Sequence, residues 1–289
     1  MKKILITGAS GQLGSAVIET MLKTISSNEI LVLTRNQEKW TDFQSHGFNA
    51  FLGSYEHVNV LENSMEDVDT VLLISSRDQG HRIQEHKNVI DAAKKKGVKR
   101  LAYTSRCLRN RTTLVNELME EHFATEEYIL QSQIPYTFFR NILYMDAIPQ
   151  LIGGNAALEK GIMVPAGEGK VSFALRSEMG EAIAKVLLQE ESGNKIYHFT
   201  GATAWSFYDV AEALTELTGR NIYYHPVTKE AFAEQMRKRN LPEAVIQKIV
   251  GFITDIAHHQ ESEVFHDLQK ELQRKPAGLK EGLKKVFNL

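Results

Sequence analysis

Short apolar runs alternate with longer amphipathic segments along the first half of the chain. The runs are rich in aliphatic and aromatic residues and are bounded by turn residues, which is typical of buried strands. Between them apolar residues recur every three or four positions, which predicts helices with one apolar face. This alternation predicts a parallel sheet covered on both faces and wound in right-handed crossovers. The predicted strands are Lys3–Thr7, Glu29–Thr34, Asn49–Gly53, Thr70–Ser75, Arg100–Thr104 and Tyr136–Phe139.

The alternation weakens beyond residue 141, and the glycine-rich segment 150–170 is predicted to form loops. A second lobe is predicted there, with a helix that begins after Ser206 and ends near Gly219. A strand is predicted at Asn221–His225. Three further helices are predicted at the end of the chain, in the segment 229–286 broken at Pro242 and around Pro276 and Gly278.

These patterns predict an α/β architecture of two parts. Residues 1–148 are expected to form a doubly wound parallel sheet, and residues 149–289 a smaller, mostly helical lobe with some chain crossing back to the sheet. A chain of 289 residues with 43% hydrophobic side chains is large enough for both parts.

Composition narrows the classes of partner. A formal net charge of -2 gives no electrostatic reason to expect nucleic acid or an anionic membrane, so a small-molecule ligand is predicted. The single cysteine, Cys107, excludes an internal disulfide framework, and no stretch approaches the roughly 20 apolar residues of a membrane-spanning helix. We therefore expect a soluble cytoplasmic protein that is a monomer or a homodimer.

The first predicted strand runs directly into the glycine-rich sequence Gly8-Ala9-Ser10-Gly11-Gln12-Leu13-Gly14 and then into an amphipathic helix. This order directs backbone N–H groups and the positive end of a helix towards a pyrophosphate. The sequence therefore predicts a dinucleotide-binding Rossmann domain with residues 8–13 at the phosphates. A structural turn without a ligand is the alternative interpretation.

The end of the second strand favours NADPH over NADH. An NAD-selective site usually has an acidic residue there, whereas this chain has Thr34-Arg35-Asn36, followed by Lys39. A guanidinium can form two hydrogen bonds to a 2'-phosphate, and the lysine adds positive charge. The alternative is that Arg35 is a solvated loop residue.

At this point the sequence resembles the NmrA-like group of atypical short-chain dehydrogenases, in the branch of NADPH:quinone oxidoreductases and triphenylmethane reductases. The resemblance extends over nearly the whole chain. It is carried by the motifs 8–14, 72–76, 86–93, 97–100, 103–105, 121–126, 134–137, 140–141, 199–201 and 274–287.

The resemblance implies further cofactor-lining residues, namely Ile74, Ser75, Ser76, Thr104 and Ser105. Their place agrees with the rule that ligands in such sheets lie at the carboxyl ends of strands.

The resemblance also implies that Arg140, Asn141 and Tyr144 form the wall of a nicotinamide pocket where the two lobes meet. The family commonly has Gly-Trp-Tyr-Thr-Glu-Asn after this asparagine. This chain departs from that pattern at Ile142–Ala147 but keeps the tyrosine.

The absence of one catalytic residue pair restricts the reactions that this chain is expected to catalyse. Ordinary short-chain dehydrogenases use Tyr-x-x-x-Lys for proton transfer, and none of the nine tyrosines has a lysine four residues on. This argues against alcohol dehydrogenation and against a third hypothesis, a nucleotide-sugar epimerase. Quinones, azo compounds and dyes accept hydride directly, so the leading hypothesis is an NADPH-dependent reductase in which Asn141 and Tyr144 orient the acceptor. The main alternative is a non-catalytic NADP(H) sensor of the NmrA type, and no residue is assigned as catalytic.

Other reactive side chains are interpreted as structural. No metal is predicted, because His258, His259 and His266 lie in a helical, Glu-rich stretch without a ligand motif. Packing is the favoured role for Cys107, and a helix-packing or capping role is at least as well supported as a functional one for His122 and Glu126.

Overall fold

A computed structural model describes residues 3–76, 80–111, 115–189 and 193–289. Contacts divide the chain into two compact units that interleave in the sequence. The first unit comprises Met1–Ser105, Glu121–Arg140 and Arg176–Tyr197, and the second unit comprises Arg106–Glu120, Asn141–Leu175 and His198–Leu289. This division follows contacts and not independent folding, so the domain boundary after residue 148 stays a prediction.

The central sheet has seven strands in the order β3-β2-β1-β4-β5-β6-β8, and β7 pairs with β9 in a short antiparallel ladder. The strands are β1 Ile4–Thr7, β2 Ile30–Thr34, β3 Asn49–Leu52, β4 Thr70–Leu73, β5 Arg100–Arg106, β6 Tyr136–Asn141, β7 Lys170–Val171, β8 Lys195–Phe199 and β9 Trp205–Ser206. The pairs β3-β2, β2-β1, β1-β4 and β4-β5 are parallel. The strand order reverses beside β1, which confirms the predicted doubly wound Rossmann architecture.

Helices connect the strands of the first unit and make up most of the second. They are α1 Gln12–Met21, α2 Gln37–Ser45, α3 Val58–Ser64, α4 Arg82–Lys95, α5 Glu117–Ser132, α6 Ile148–Ile152, α7 Ala157–Lys160, α8 Arg176–Leu188, α9 Phe207–Thr218, α10 Lys229–Lys238, α11 Glu243–Ala257, α12 Asp267–Leu272 and α13 Leu279–Phe287.

Burial of aliphatic side chains holds the sheet between its helices. Leu5, Leu33, Val71 and Leu101, on four neighbouring strands, are at most 1% exposed and belong to one apolar cluster. Because both faces of a parallel sheet are covered, such strands are apolar on both faces. This packing fixes the strand ends at which the candidate site lies.

Two of the predicted strand ends need correction, and side-chain hydrogen bonds explain the first of them. β4 was expected to reach Ser75 but ends at Leu73, because Ile74 N–H donates to Thr7 Oγ1 and Ser75 N–H to Thr104 Oγ1. β5 was expected to end at Thr104 but continues to Arg106. Thr104 and Ser105 are therefore strand residues and do not follow the strand.

Of two further predictions for the second half of the chain, the structure confirms one and contradicts the other. The capped helix is confirmed as α9, with a Ser206 capping box and Gly219 in the left-handed conformation. The strand at Asn221–His225 is wrong, since only an isolated bridge between Ile162 and Tyr224 forms there.

The predicted number and extent of helices also need correction. Four helices, α10 to α13, occupy the end of the chain instead of three, because a non-helical stretch follows α11, in which His259 has φ 58°. The segment 150–170 contains part of α6 and all of α7 besides loops. The strand β8 was missed, because its short and largely exposed sequence carries no buried apolar run.

The described residues lack two kinds of feature. Within them no helix combines the length and apolarity needed to cross a membrane. They also contain no cluster of three or more His, Cys, Asp or Glu side chains that could hold a metal ion.

Candidate functional site

The turn between β1 and α1 is built around glycine. Gly8 has φ +63°, a left-handed conformation that residues with a Cβ rarely adopt, and its carbonyl accepts the Gly11 N–H at 3.0 Å. A Cβ on Gly14 would lie 2.5 Å from the Gly8 oxygen and 2.9 Å from Ala9 Cα. Only glycine at position 14 therefore lets α1 pack this closely on the turn.

The first turn of α1 carries no group of its own that neutralises its N–H dipoles. Its N-cap is Gly11, which makes no side-chain capping hydrogen bond, and the turn contains no acidic residue. Helix geometry leaves the N–H groups of Gln12 and Leu13 without intrahelical acceptors. Such a helix end favours a negatively charged group.

A cavity of about 360 Å³ lies in the first unit over the carboxyl ends of β1, β2, β3 and β4. This is the position where ligands bind in doubly wound sheets. Its walls are formed by Gly8, Ser10, Gly11, Leu33, Thr34, Arg35, Asn36, Gly53, Ser54, Tyr55, Ile74, Ser75, Ser76 and Glu85.

Eight of the predicted cofactor residues line this cavity: Gly8, Ser10, Gly11, Thr34, Arg35, Ile74, Ser75 and Ser76. The other predicted residues of the first unit are not in the wall: Ala9, Gln12, Leu13, Lys39, Thr104, Ser105 and Arg140. Some of these have structural contacts. The Arg140 guanidinium forms two hydrogen bonds to Glu126, with its Nη2 2.6 Å from Oε2.

The end of β2 presents a cation to the cavity. The Thr34 hydroxyl donates to Ser10 Oγ at 2.9 Å, which ties this strand end to the glycine turn. Asn36 caps α2 by accepting the Lys39 N–H at 2.8 Å. Arg35 lies between them, exposed and in the cavity wall. The guanidinium is therefore accessible to a ligand phosphate.

Sequence reasoning missed six residues of the wall: Leu33, Asn36, Gly53, Ser54, Tyr55 and Glu85. Leu33, Asn36 and the group 53–55 could have been found, because they lie at the carboxyl ends of two predicted strands, where ligands bind. Glu85 belongs to the first turn of α4, and no motif in the sequence points to it.

The Tyr55 hydroxyl connects the end of β1 to the segment that follows β4. The oxygen lies 2.7 Å from Thr7 Oγ1 and 2.8 Å from the Ile74 carbonyl oxygen. Burial raises the pKa of Tyr55 well above its ordinary value. The phenol therefore stays protonated, and its hydrogen bonds hold Thr7 and Ile74 in place beside the cavity.

Two buried hydroxyl groups near these strand ends have no hydrogen-bond partner among the described residues, Ser76 Oγ and Ser105 Oγ. Buried polar atoms are almost always hydrogen-bonded in native proteins. Ser76 is also one of the residues of the cavity wall, so a polar ligand bound there would be beside a hydroxyl that lacks a partner. Together with the glycine turn and Arg35, this fits a phosphorylated dinucleotide.

The predicted acceptor-orienting residues lie in the second unit. Asn141 is 1% exposed, and its Nδ2 lies 3.4 Å from the Tyr144 hydroxyl. Its Oδ1 is buried without a hydrogen-bond partner among the described residues. The two side chains predicted to act together are thus adjacent.

A buried ion pair holds the backbone beside these residues. Glu261 pairs with Arg106 at 2.6 Å and accepts the Leu143 N–H at 3.0 Å through its other oxygen. Burial raises the pKa of Glu261, and the charge of Arg106 opposes this shift. Cys107, which is buried, donates its N–H to the Asn141 carbonyl at 3.0 Å.

Comparison with known proteins bears out the resemblance. The model of the NmrA-like family matches residues 1–285. Quinone oxidoreductase 2 of Escherichia coli strain K12 is 35% identical over 243 residues, which are 84% of this chain and 84% of that protein.

Two solved structures are similar in fold over nearly the whole chain. An NADPH-dependent quinone oxidoreductase from Escherichia coli, crystallised with NADPH, has a TM-score of 0.92 and 31% identity, covering 99% of this chain and 100% of that chain. Triphenylmethane reductase from Citrobacter sp., crystallised with NADP(H), has a TM-score of 0.90 and 32% identity, covering 98% and 99%. The resemblance in sequence is thus confirmed by fold, and the chain belongs to the NmrA-like family.

Proposed function

We propose that this protein is an NADPH-dependent reductase that transfers hydride to an electron-poor acceptor, such as a quinone, an azo compound or a triphenylmethane dye. The observation that carries the proposal is the cavity at the strand ends, where an uncapped helix N-terminus and Arg35 converge. The relatives named for quinone and dye reduction share this fold at more than 30% identity.

The residues of the first unit divide the recognition of NADPH between them. The glycine turn and the N–H groups at the start of α1 bind the pyrophosphate, because they supply donors without a competing carboxylate. Arg35 binds the 2'-phosphate with a planar pair of donors. Ile74, Ser75 and Ser76, at the end of β4, line the remainder of the cofactor site.

Bound NADPH supplies the hydride. The protein then has to hold the acceptor and exclude competing reactions, and we assign Asn141 and Tyr144 to orienting it. Neither side chain has to transfer a proton. The anion that hydride transfer produces from a quinone or an azo compound takes its proton from water, and a cationic triphenylmethane dye becomes neutral on accepting hydride and needs none.

The buried tyrosines of the first unit do not supply an acid. Burial raises the pKa of both Tyr55 and Tyr103, and neither has a lysine four residues on. A general acid–base group is typically worth about a hundredfold to ten-thousandfold in rate. Carbonyl and alcohol substrates, which need such a group, are therefore disfavoured in comparison with quinones and dyes.

A turnover screen tests the proposal. NADPH oxidation is followed at 340 nm with benzoquinones, naphthoquinones, an azo dye and a triphenylmethane dye, with NADH in parallel. We expect turnover with at least one acceptor and a preference for NADPH. NADPH binding without turnover of any acceptor, together with NADP+ binding at least as tight, would instead support the non-catalytic sensor.

Three further statements remain predictions of the sequence. The physiological ligand besides the cofactor is a small electron acceptor, the protein is a monomer or a homodimer, and its location is the cytoplasm. Size-exclusion chromatography with light scattering tests the second of these directly.

A further inference from the structure

The Ser76 peptide, in the wall of the cavity, is held on both sides by α4. Its N–H donates to His86 Nε2 at 3.1 Å, and its carbonyl oxygen accepts from Arg82 Nε at 3.0 Å. Arg82 and His86 are four residues apart and therefore share one helix face. Both are buried, at 7% and 1% exposure.

These two side chains are themselves fixed by α5. His86 Nδ1 lies 2.9 Å from Thr125 Oγ1, and the Thr125 hydroxyl donates to the Glu121 carbonyl at 2.8 Å. Arg82 Nη1 lies 3.1 Å from Glu121 Oε2. The helix α5 thus supports the cavity wall indirectly, through one contact to His86 and one contact to Arg82 of α4.

The hydrogen-bond network assigns the tautomer of His86. The Ser76 N–H can only donate, so Nε2 must accept and carry no proton, which places the ring proton on Nδ1. Nδ1–H then donates to Thr125, whose own proton is directed to the Glu121 carbonyl. Burial, with the charge of Arg82, lowers the pKa of His86 to about 3. The imidazole is therefore neutral at neutral pH.

With the Ser76 peptide fixed in this way, the Ser76 hydroxyl is the one polar group of this residue that remains for a ligand. The Ser76 hydroxyl is buried and has no partner among the described residues, while the amide and carbonyl beside it are both occupied. A clamp on the backbone limits the directions in which this hydroxyl can point, which reduces the entropy lost when it binds.

We propose that Arg82 and His86 form a clamp that presents the Ser76 hydroxyl to the bound dinucleotide, with His86 acting as a neutral acceptor. His86 is a positioning residue in this arrangement, because both of its ring nitrogens are engaged within the protein. The inference rests on the proposed function in one respect, namely that the dinucleotide occupies this cavity.

The test is a double-mutant cycle on NADPH affinity, measured by calorimetry. Ser76→Ala removes one neutral hydrogen bond and is expected to raise the Kd about fivefold. His86→Phe removes the acceptor but keeps an aromatic ring, and is expected to raise the Kd by a similar factor or up to about tenfold. His86→Gln retains an acceptor at the same reach, so its Kd is expected to stay within about twofold of wild type.

The double variant S76A/H86F separates positioning from general destabilisation. If His86 acts through Ser76, the double variant binds NADPH no more weakly than H86F alone, because the second change removes nothing further. If the two effects multiply, or if H86Q is as weak as H86F, the clamp is disproved. Should H86F fail to fold, T125V replaces it, since this change removes the acceptor of Nδ1–H and is expected to raise the Kd about threefold.

A matched control is Thr137→Val. Thr137 Oγ1 is also buried without a partner among the described residues, but it is not in the cavity wall. Its removal should leave the NADPH affinity unchanged, and a loss equal to that of S76A would overturn the inference. The outcomes separate the two proposals: wild type that binds no NADPH refutes the proposed function, whereas NADPH binding that is equal in wild type and H86F refutes only the clamp.

Discussion

The N-termini of α1 and α9 solve the same physical problem in opposite ways. Every helix begins with N–H groups that have no intrahelical acceptor. In α9 the Ser206 side chain accepts the Asp209 N–H, and the Asp209 carboxylate accepts the Ser206 N–H at 2.7 Å. In α1 the N-cap is Gly11, and the first turn contains neither a capping side chain nor a carboxylate.

The difference indicates that the start of α1, unlike the start of α9, is stabilised by a bound ligand. A capping box satisfies two donors and places a negative charge at the positive helix end, so α9 is complete without any partner. The start of α1 gains these interactions only when an anion binds. An incomplete helix end beside a cavity is therefore evidence of function that a complete one does not provide.

The largest effect is expected from Gly14→Ala, which alters the uncapped end directly. The added Cβ would lie 2.5 Å from the Gly8 oxygen and 2.9 Å from Ala9 Cα, and backbone atoms cannot move aside as a flexible side chain could. The turn must shift, so we expect NADPH affinity to fall at least about a hundredfold, with a loss of about 1 to 3 kcal/mol in the free energy of unfolding. Calorimetry and urea denaturation measure these two quantities.

Gly251→Ala is the matched control for this prediction. Gly251 is also a helical glycine, in α11, but the nearest heavy atoms to an added Cβ are 3.7 Å away, an ordinary contact. Alanine is favoured over glycine in a helix interior by about 1 kcal/mol, so this variant should be slightly more stable than wild type with unchanged affinity. An equal loss of NADPH binding in both variants would show that close packing of α1 on its turn is not the cause.

The second prediction concerns the cation beside the uncapped end. Arg35→Gln removes a charge-assisted contact to the 2'-phosphate, a contact worth about 1.5 to 3 kcal/mol. The preference for NADPH over NADH, measured as the ratio of kcat/KM values, should therefore fall by about ten to a hundred and fifty fold. Most of this change should come from a lower kcat/KM with NADPH, and the kcat/KM with NADH should change little.

Lys39→Gln is the control, since Lys39 is exposed but is not in the cavity wall. We expect this variant to change the ratio by less than about threefold, because an exposed charge at a distance is screened by salt. A large effect of K39Q with none from R35Q would reverse the assignment of the 2'-phosphate ligand.

The local parts of this site could be predicted from the sequence because each consists of residues that are close together in the sequence. The glycine turn follows β1 directly, and Arg35 follows β2, so strand, turn and helix fix their places. The capping box of α9 is equally local, with Ser206 and Asp209 three residues apart.

Long-range contacts could not be read in this way. Glu85 reaches the cavity from α4, and the clamp on Ser76 needs His86 and Thr125, which are 39 residues apart in sequence. Spacing along one chain does not encode which face of α4 meets α5. The strand β8 was missed for a related reason, since an edge strand is defined by its neighbour β6 and not by its own apolar pattern.

A smaller effect is expected when a carboxylate is added to the uncapped end. Gln12→Glu puts a negative charge in the first turn of α1, as Asp209 does in α9, so it should repel the pyrophosphate and raise the Kd for NADPH about fivefold. The same charge favours the helix dipole and should leave the free energy of unfolding unchanged or a few tenths of a kcal/mol higher.

The Gln12 side-chain oxygen also accepts a hydrogen bond from Arg176, and a glutamate keeps this acceptor while adding charge to it, so the contribution of the contact needs its own control. Gln12→Ala removes the contact without adding charge, and its affinity should stay within about twofold of wild type. If Q12A, which adds no charge, weakens binding as much as Q12E, the added charge is not shown to be the cause and the electrostatic account of this helix end is wrong.

The smallest effect on ligand binding is expected from Ser206→Ala, at the complete helix end. This change removes the acceptor for the Asp209 N–H and should lower the free energy of unfolding by about 1 kcal/mol, as is typical for loss of an N-cap. The NADPH affinity should not change, because the donors at this end bind no ligand. Urea denaturation and calorimetry on one preparation test both statements, and a parallel loss of affinity would mean that the two helix ends are not independent. Unchanged stability with unchanged affinity would also contradict the comparison, since it would show that α9 does not depend on its cap.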